Sequence, residues 1–452
     1  MSPALILPYL DAETTLAAAA AFATFEDDEE DAEPPSVKRP RRAKPRPDYR
    51  ESTWMKTLQA EAKLLDPASD EATIFRRRFR VPYPFFVKLV DIVREQGWFP
   101  SPEFDVAGRR CIPLELKVMA SLYILGRGTC FDTVSELSFI SEQSVGQIFH
   151  KFCAKFAVHM YDKWIKLPTG DDLERVMRQY AYVGFPGAVG STDVTHVAWG
   201  CTPQSHARSY SGKEGYPTIA FEATVDHMGR VLGVTKGFAG AQNDKTIVRF
   251  DLAVQRVREG EPYKNVRYNL RRADGTLSEE IGAYLIVDGG YHKWVCLIPP
   301  IKTPTTDNQA LWSGRLESVR KDVECFFGYL KARFRILKMS ILYRTEEDIH
   351  NAFFTCCILH NMLHAHDGLD ELEPEANWTG AGGQHEILDR NPSADWSSVG
   401  LRSDGVSSDT TVEVESEHAV RKAKLVEHLA WMHERKLLGW LRGSHNRSSE
   451  AD

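Results

Sequence analysis

No apolar run in this chain reaches the roughly 18 residues that suggest a membrane span, so an integral membrane protein is not expected. The eight cysteines are scattered without the spacing of a disulfide framework, which fits free thiols in a reducing compartment. A formal net charge of −7 argues against a uniformly basic nucleic-acid binder, although the charge is unevenly spread. The alanine-rich start, Met1 to Phe25, lacks a basic n-region and carries Asp11 and Glu13, so secretion is not expected. Also missing is any convincing Ser/His/Asp or Cys/His set for nucleophilic catalysis. What remains is a chain of 452 residues, 42% of them apolar, long enough for two or three domains with a sizeable core.

Four segments follow along the chain. Residues 1–70 run from an acidic stretch, Glu26 to Glu33, into a basic one, Lys38 to Arg46, and are too charged and proline-rich to bury a core. The basic half has the composition of a nuclear localisation signal or a DNA-contacting arm; a solvated tail is the plain alternative. Residues 71–182 read as helical. Leu114, Val118, Leu122 and Leu125 share a helical face, Gly126 and Gly128 interrupt it, and Ser141 is placed to cap a further helix bearing Val145, Ile148, Phe149 and Phe152. Two helices joined by a tight turn resemble a helix-turn-helix, a DNA-binding arrangement, although such pairs also simply pack.

Periodicity changes in residues 183–366. Val189 to Trp199, Tyr216 to Val225 and Arg230 to Gly237 read as three strands, with Asp226 to Gly229 turning between the second and third. A helical or irregular connection leads to a buried strand, Tyr284 to Val287, then an apolar stretch, Trp294 to Ile301, and a long helix from about Asn308 to Phe334. The expected class is α/β: a ribonuclease-H-like mixed sheet flanked by helices and preceded by the helical segment. Residues 367–452 form an acidic, Ser- and Gly-rich linker and a helix carrying Leu425, Leu429 and Met432, which docks on the body or on a partner.

Three acids occupy informative places: Asp193 in the first strand, Asp288 at the end of the buried strand before Gly289-Gly290, and Glu324 beside the apolar stripe of the long helix. A few convergent carboxylates suffice to hold hard divalent ions such as Mg2+ or Mn2+, and two such ions stabilise both the attacking and leaving oxygens of a phosphodiester displacement. Asp193, Asp288 and Glu324 are thus the candidate catalytic and metal-binding residues. Each acid taken singly is more often a cap, a turn residue or half of an ion pair, for which Arg320, four positions before Glu324, is a ready partner. Asp322 sits two positions from Glu324, about 200° around the helix, and is expected to lie off the site.

In order and spacing, these strings resemble the DDE transposases of the PIF/Harbinger superfamily, in the branch described as plant transposon proteins. The resemblance rests on Phe75 to Arg80, Ile124-Leu125-Gly126-Arg127-Gly128, Gly184-Phe185-Pro186-Gly187, Gly190-Ser191 with Asp193, and Tyr216 to Ile219. It continues through Gly240 to Asp244, Asp288-Gly289-Gly290-Tyr291, Arg320 to Glu324 with Phe327-Gly328, and Ile358 to Met362. Thr192, Val194, Thr195, Gly290 and His292 depart from the family pattern. The resemblance implies a nuclear DNA endonuclease and strand transferase that cuts and joins transposon ends. It implies two divalent metal ions on Asp193, Asp288 and Glu324, and double-stranded DNA (terminal repeats and target) as substrate. A Myb-like accessory protein and a homo-oligomer on DNA are further implied partners.

The alternatives are a domesticated DNA-binding or chromatin-associated protein that no longer cuts, and an RNA nuclease on the same fold. Cys356, Cys357, His360, His364 and His366 offer a weaker reading as zinc ligands. His196 is expected to pack or hydrogen-bond, and Asn243-Asp244 to cap a helix. Lys331, Arg333, Arg335 and Lys338 suit DNA phosphates or a solvated helix face.

Overall fold

The computed structural model describes residues 48–100, 102–106, 108–369 and 412–439; the basic run Lys38 to Arg46 and most of the linker lie outside the described residues. The chain forms two units. The first holds residues up to Phe152 with Val197–Thr218 and Arg335–Ile349; the second holds Cys153–His196, Ile219–Phe334 and the residues from His350.

Helices dominate the first unit: α1 (Thr53–Leu58), α2 (Glu61–Leu65), α3 (Asp70–Phe79), α4 (Tyr83–Glu95), α5 (Leu114–Arg127), α6 (Phe131–Ser138), the start of α7 (Glu142–Trp164) and, in the Val197–Thr218 segment, α9 (Ala207–Tyr210). An aromatic cluster centres them, with Phe75 against Phe79, Tyr83 and Phe86, and Trp54 edge-on to Phe79. Gly128 ends α5 at φ +63°, where a side chain would be strained and would meet Met339 and Ile336. The Ser141 hydroxyl accepts the Ser144 N–H at 3.3 Å and caps α7, as its sequence position suggests. Arg76, Arg77 and Arg78 are exposed on α3.

In the second unit α8 (Gly170–Tyr182) leads into a six-stranded mixed sheet. Its members are β1 (Ala188–Ala198), β2 (Thr218–Val225), β3 (Val231–Val234), β4 (Phe238–Ala239), β7 (Tyr284–Ile286) and β8 (Leu297–Ile298). The order is β3-β2-β1-β7-β8, with β4 on β2; β1, β7 and β8 run parallel, and β3 and β4 run antiparallel to β2. One face is covered by α12 (Asp307–Arg333), whose Trp312, Leu316 and Val319 pack with Tyr284, Ile286 and Ile298. On the other face α11 (Leu252–Glu259) packs Ala253, Val254 and Val257 with Val189, Leu285 and Val287. A short α10 (Asp244–Ile247) precedes α11. The helix α13 (Glu346–His366) stacks Phe353 on Phe221 of β2, and its Asn361 side chain pairs with both the N–H and the carbonyl of Val231. That contact satisfies backbone groups of a strand at the end of the sheet order.

Two features differ from or extend the sequence reading. The connection between β4 and β7, expected to be helical or irregular, also contains an antiparallel hairpin, β5 (Arg267–Arg271) with β6 (Leu277–Ile281). Its alternation is short, and exposed Arg267 and Asn269 dilute the signal of buried Tyr268 and Leu270. The terminal helix α14 (Val412–Glu434) docks on the body of the second unit, burying Leu425 and Leu429 completely. Arg421 donates to the carbonyls of Ile281, Gly282 and Val295, and His418 is 3.1 Å from the Leu297 carbonyl.

Two histidines of this unit are buried in their neutral form. The His428 Nδ1 accepts the Arg271 N–H at 2.9 Å, so that nitrogen must be unprotonated, and burial with Arg271 nearby depresses its pKa to about 4. His360, held against the Gly229 carbonyl, is depressed to about 3 by burial and then by Arg333. Both folded values lie below the unfolded 6.5, so at these two groups the folded state binds fewer protons and their contribution to stability is lost as pH drops from about 6.5 towards 4. Each group contributes a slope of at most about 1.4 kcal/mol per pH unit. Urea denaturation from pH 7.5 to 5 is expected to show this loss, and His360→Gln with His428→Gln should flatten it. An unchanged slope would contradict the assignment.

Candidate functional site

Strand register brings two of the acids together. Ser191 of β1 lies opposite Ile286 of the parallel β7. Two residues further along each chain direction stand Asp193, in the middle of β1, and Asp288, just past the end of β7, close enough for the Asp288 charge to act on Asp193. By the period of two, Asp288 shares the face of Tyr284 and Ile286, and Asp193 that of Ser191; this is the face covered by α12. Glu324 then arrives from α12 itself, on the edge of the helix that stays solvated, with 46% of its side chain exposed.

One guanidinium ties the helix to the sheet. Arg320 donates from Nη1 to Asp193 Oδ2 at 2.9 Å, from Nη2 to Glu324 Oε1 at 2.6 Å and from Nε to Glu317 Oε2 at 2.9 Å. The ion-pair alternative for Glu324 is therefore realised in the structure, and it extends to Asp193. Arg320 is largely enclosed, with 12% of its side chain exposed. Burial alone would lower its pKa, but Glu317, Asp193 and Glu324 outweigh that and hold it above the ordinary value.

Burial pushes Asp193 up to about 6; Arg320 and the Val194 N–H pull it down, while Asp288 and Asp244 push it up again. Asp244 is a fourth acid at the site. Asn243 caps α10 by accepting the Thr246 N–H, which leaves Asp244 in its first turn. An ideal Cβ on Gly290 would lie 2.9 Å from Asp288 Oδ1 and 3.3 Å from Asp244 Oδ2. Only a residue without a side chain leaves that space between the two carboxylates open, and the Gly290 N–H itself donates to Asp288.

Sequence reasoning missed a second acid pair. Glu222 of β2 is fully buried, Asp251 is 1% exposed, and the Tyr291 hydroxyl is 3.4 Å from Glu222 Oε2. Asp251 Oδ1 caps α11 by accepting the Ala253 and Val254 N–H groups. Burial pushes Glu222 well above the carboxylate range, with the Asp251 charge adding to the push, and burial raises Asp251 as well. The available signal was an acid inside the otherwise apolar run of β2.

Other candidates fall elsewhere. His360 and His364 face the carbonyls of Gly229 and Met228, and Cys356 and Cys357 are wholly buried in α13. Lys331 reaches the His196 carbonyl at 2.8 Å. Asp322 is buried completely rather than solvated. Among the described residues, no group of three or more His, Cys, Asp or Glu side chains is already drawn together to hold a metal ion. Even so, the donors suit a hard divalent ion in kind, being all carboxylates, and the site already binds a cation in the Arg320 guanidinium.

Residues 162–370, a little under half of the chain, match a family described as plant transposon protein. Asp193, Asp288 and Glu324 lie within the matched span. The match supports a transposase or nuclease function at the level of the superfamily. No curated protein and no solved structure matches the chain.

Proposed function

We propose that this chain is a metal-dependent DNA endonuclease and strand transferase of the PIF/Harbinger DDE type, cutting and joining transposon ends on a ribonuclease-H-like second unit. The observation that carries the reading is the parallel β1–β7 register, which sets Asp193 beside Asp288 under the helix bearing Glu324. Divalent ions on these carboxylates would activate first water and then a freed 3′-hydroxyl, and would neutralise charge on the leaving oxygen. Asp193 projects from the middle of a packed strand and Asp288 from the segment that directly follows β7, where the Gly290 N–H donates to its carboxylate. Glu324 on the solvated edge of α12 closes the set from the side that DNA can approach. Such phosphoryl chemistry needs positioning and charge neutralisation rather than a protein nucleophile, in keeping with the missing nucleophilic triad.

In the same proposal the helical first unit contributes DNA affinity through the α6–α7 turn and the exposed Arg76, Arg77 and Arg78. A Myb-like accessory protein and multimerisation on DNA complete it, because two ends must be joined. The test is cleavage. DNA carrying terminal inverted repeats from around the coding sequence should be cut with Mg2+ or Mn2+ and left intact in chelator, and matched RNA should resist. DNA binding with no metal-dependent cutting would favour the domesticated, non-cutting reading.

Nuclear location belongs to the proposal through the basic run Lys38 to Arg46. Changing Lys38, Arg39, Arg41 and Arg42 to Ala is expected to leave a tagged protein in the cytoplasm when no partner is co-expressed. Undiminished nuclear accumulation would assign import to a partner instead.

A further inference from the structure

Asp193 and Glu324 each give an oxygen to the same guanidinium: Arg320 spans Asp193 Oδ2 at 2.9 Å and Glu324 Oε1 at 2.6 Å, and its Nε is anchored on Glu317. A divalent ion needs those oxygens too, since carboxylate oxygens are its natural ligands. Two cations cannot share them at such distances without strong repulsion in a partly enclosed site. We propose that Arg320 is a built-in competitor for the metal, a positioning residue that clamps Asp193 to Glu324 and must release both before an ion is held. This rests on the metal-dependent reading of the site.

The geometry favours a swing over a wholesale departure. Glu317 lies one turn before Arg320 and holds only Nε, so it can keep the guanidinium beside the site while Nη1 and Nη2 let go. The released Nη1 and Nη2 would then offer donors in a planar fork, a geometry that matches phosphate oxygens. Metal and DNA phosphate would therefore act in the same direction. The ion takes the carboxylates from Arg320, and the phosphate gives Arg320 a new partner. Asp288 stands outside the clamp and accepts the Gly290 N–H instead. Asp288 can therefore receive an ion first, before the clamp opens.

Direct Mn2+ binding to the full chain, followed by electron paramagnetic resonance or calorimetry, tests this without reference to activity. Arg320→Gln removes the competitor and should tighten Mn2+ binding about tenfold or more. Removing any nearby positive charge would also tighten binding to some degree, so Arg320→Lys is the informative partner. It keeps the charge but lacks the fork that holds three carboxylates, and it too should bind Mn2+ more tightly than the native chain. Lys302, whose stem lies over Gly289, is the charge control, and Lys302→Gln should change affinity less than Arg320→Lys.

Near-ultraviolet circular dichroism establishes that each variant is folded, and Glu317→Gln, which loosens only the anchor, provides a milder change in the same direction. Unchanged or weaker Mn2+ binding in both Arg320 variants, with the native chain binding normally, would overturn the competitor role and leave the metal-dependent reading standing. Absence of Mn2+ binding in the native chain and in every variant would overturn that reading, and the competitor role with it.

Discussion

Asp193→Asn, Asp288→Asn and Glu324→Gln are each expected to cut Mg2+- or Mn2+-dependent strand cleavage by roughly a thousandfold while leaving DNA binding in place. Each exchange preserves side-chain shape and removes the charge that a hard cation requires. The fold should tolerate all three. Glu324 is largely solvated, and Asp193 already sits at a pKa of about 6 because burial disfavours its charge, so a neutral amide there is no great loss. Because the three act as one unit, Asp193→Asn combined with Glu324→Gln should be little worse than either alone. Single-turnover cleavage on element-end DNA measures this. Retained cutting in any of the three would remove that residue from the catalytic set.

Asp322→Ala is expected to fail in the opposite way, by loss of stability rather than of metal chemistry. Asp322 is fully buried on α12 and Arg315, 7% exposed, lies on the same helix. Burial lowers the Arg315 pKa to about 10, and the Asp322 charge is what offsets that effect. Removing the carboxylate takes away a charge that offsets the burial of the Arg315 guanidinium and leaves space on the buried side of α12, so the fold is expected to lose stability. Urea denaturation should register it as an earlier midpoint with little change in slope. Cleavage per folded molecule should stay near native. A variant of native stability would mean that Arg315 is neutralised by another group.

Asp322 also shows what a sequence can reveal of such a site. The helical wheel correctly put Asp322 on the far side of α12 from Glu324, but the far side proved to be interior, because α12 buries Trp312, Leu316, Val319 and Val323 together with Ser318 and Asp322. An apolar stripe marks where a helix packs, yet polar residues beside it are not thereby solvated. The β1, β2 and β3 strands and the Asp226 to Gly229 turn were legible because their apolar runs are bounded by glycine and turn residues. The β5–β6 hairpin was not, since its exposed positions mix Arg267, Asn269 and Glu279 with Leu277 and Ile281, and the covering helix α14 is more than 130 residues away in sequence.

The i,i+4 pairing of Arg320 with Glu324 could be read directly from their spacing. Its reach to Asp193 could not, because that contact depends on the packing of α12 over the β1–β7 pair. Glu222 and Asp251 were hidden for a related reason. Acids in unrelated segments become a pair only when the fold buries both.

The central claim is that Asp193, Asp288 and Glu324 hold the ions that cut DNA, and anomalous scattering from Mn2+-soaked crystals of the full chain tests it most directly. The expected result is a manganese peak in coordinating contact with the Asp193 and Asp288 carboxylates, with Glu324 drawn in and Arg320 turned away from both acids. A peak at other residues, or none while Arg320 still bridges Asp193 and Glu324 at saturating Mn2+, would contradict it.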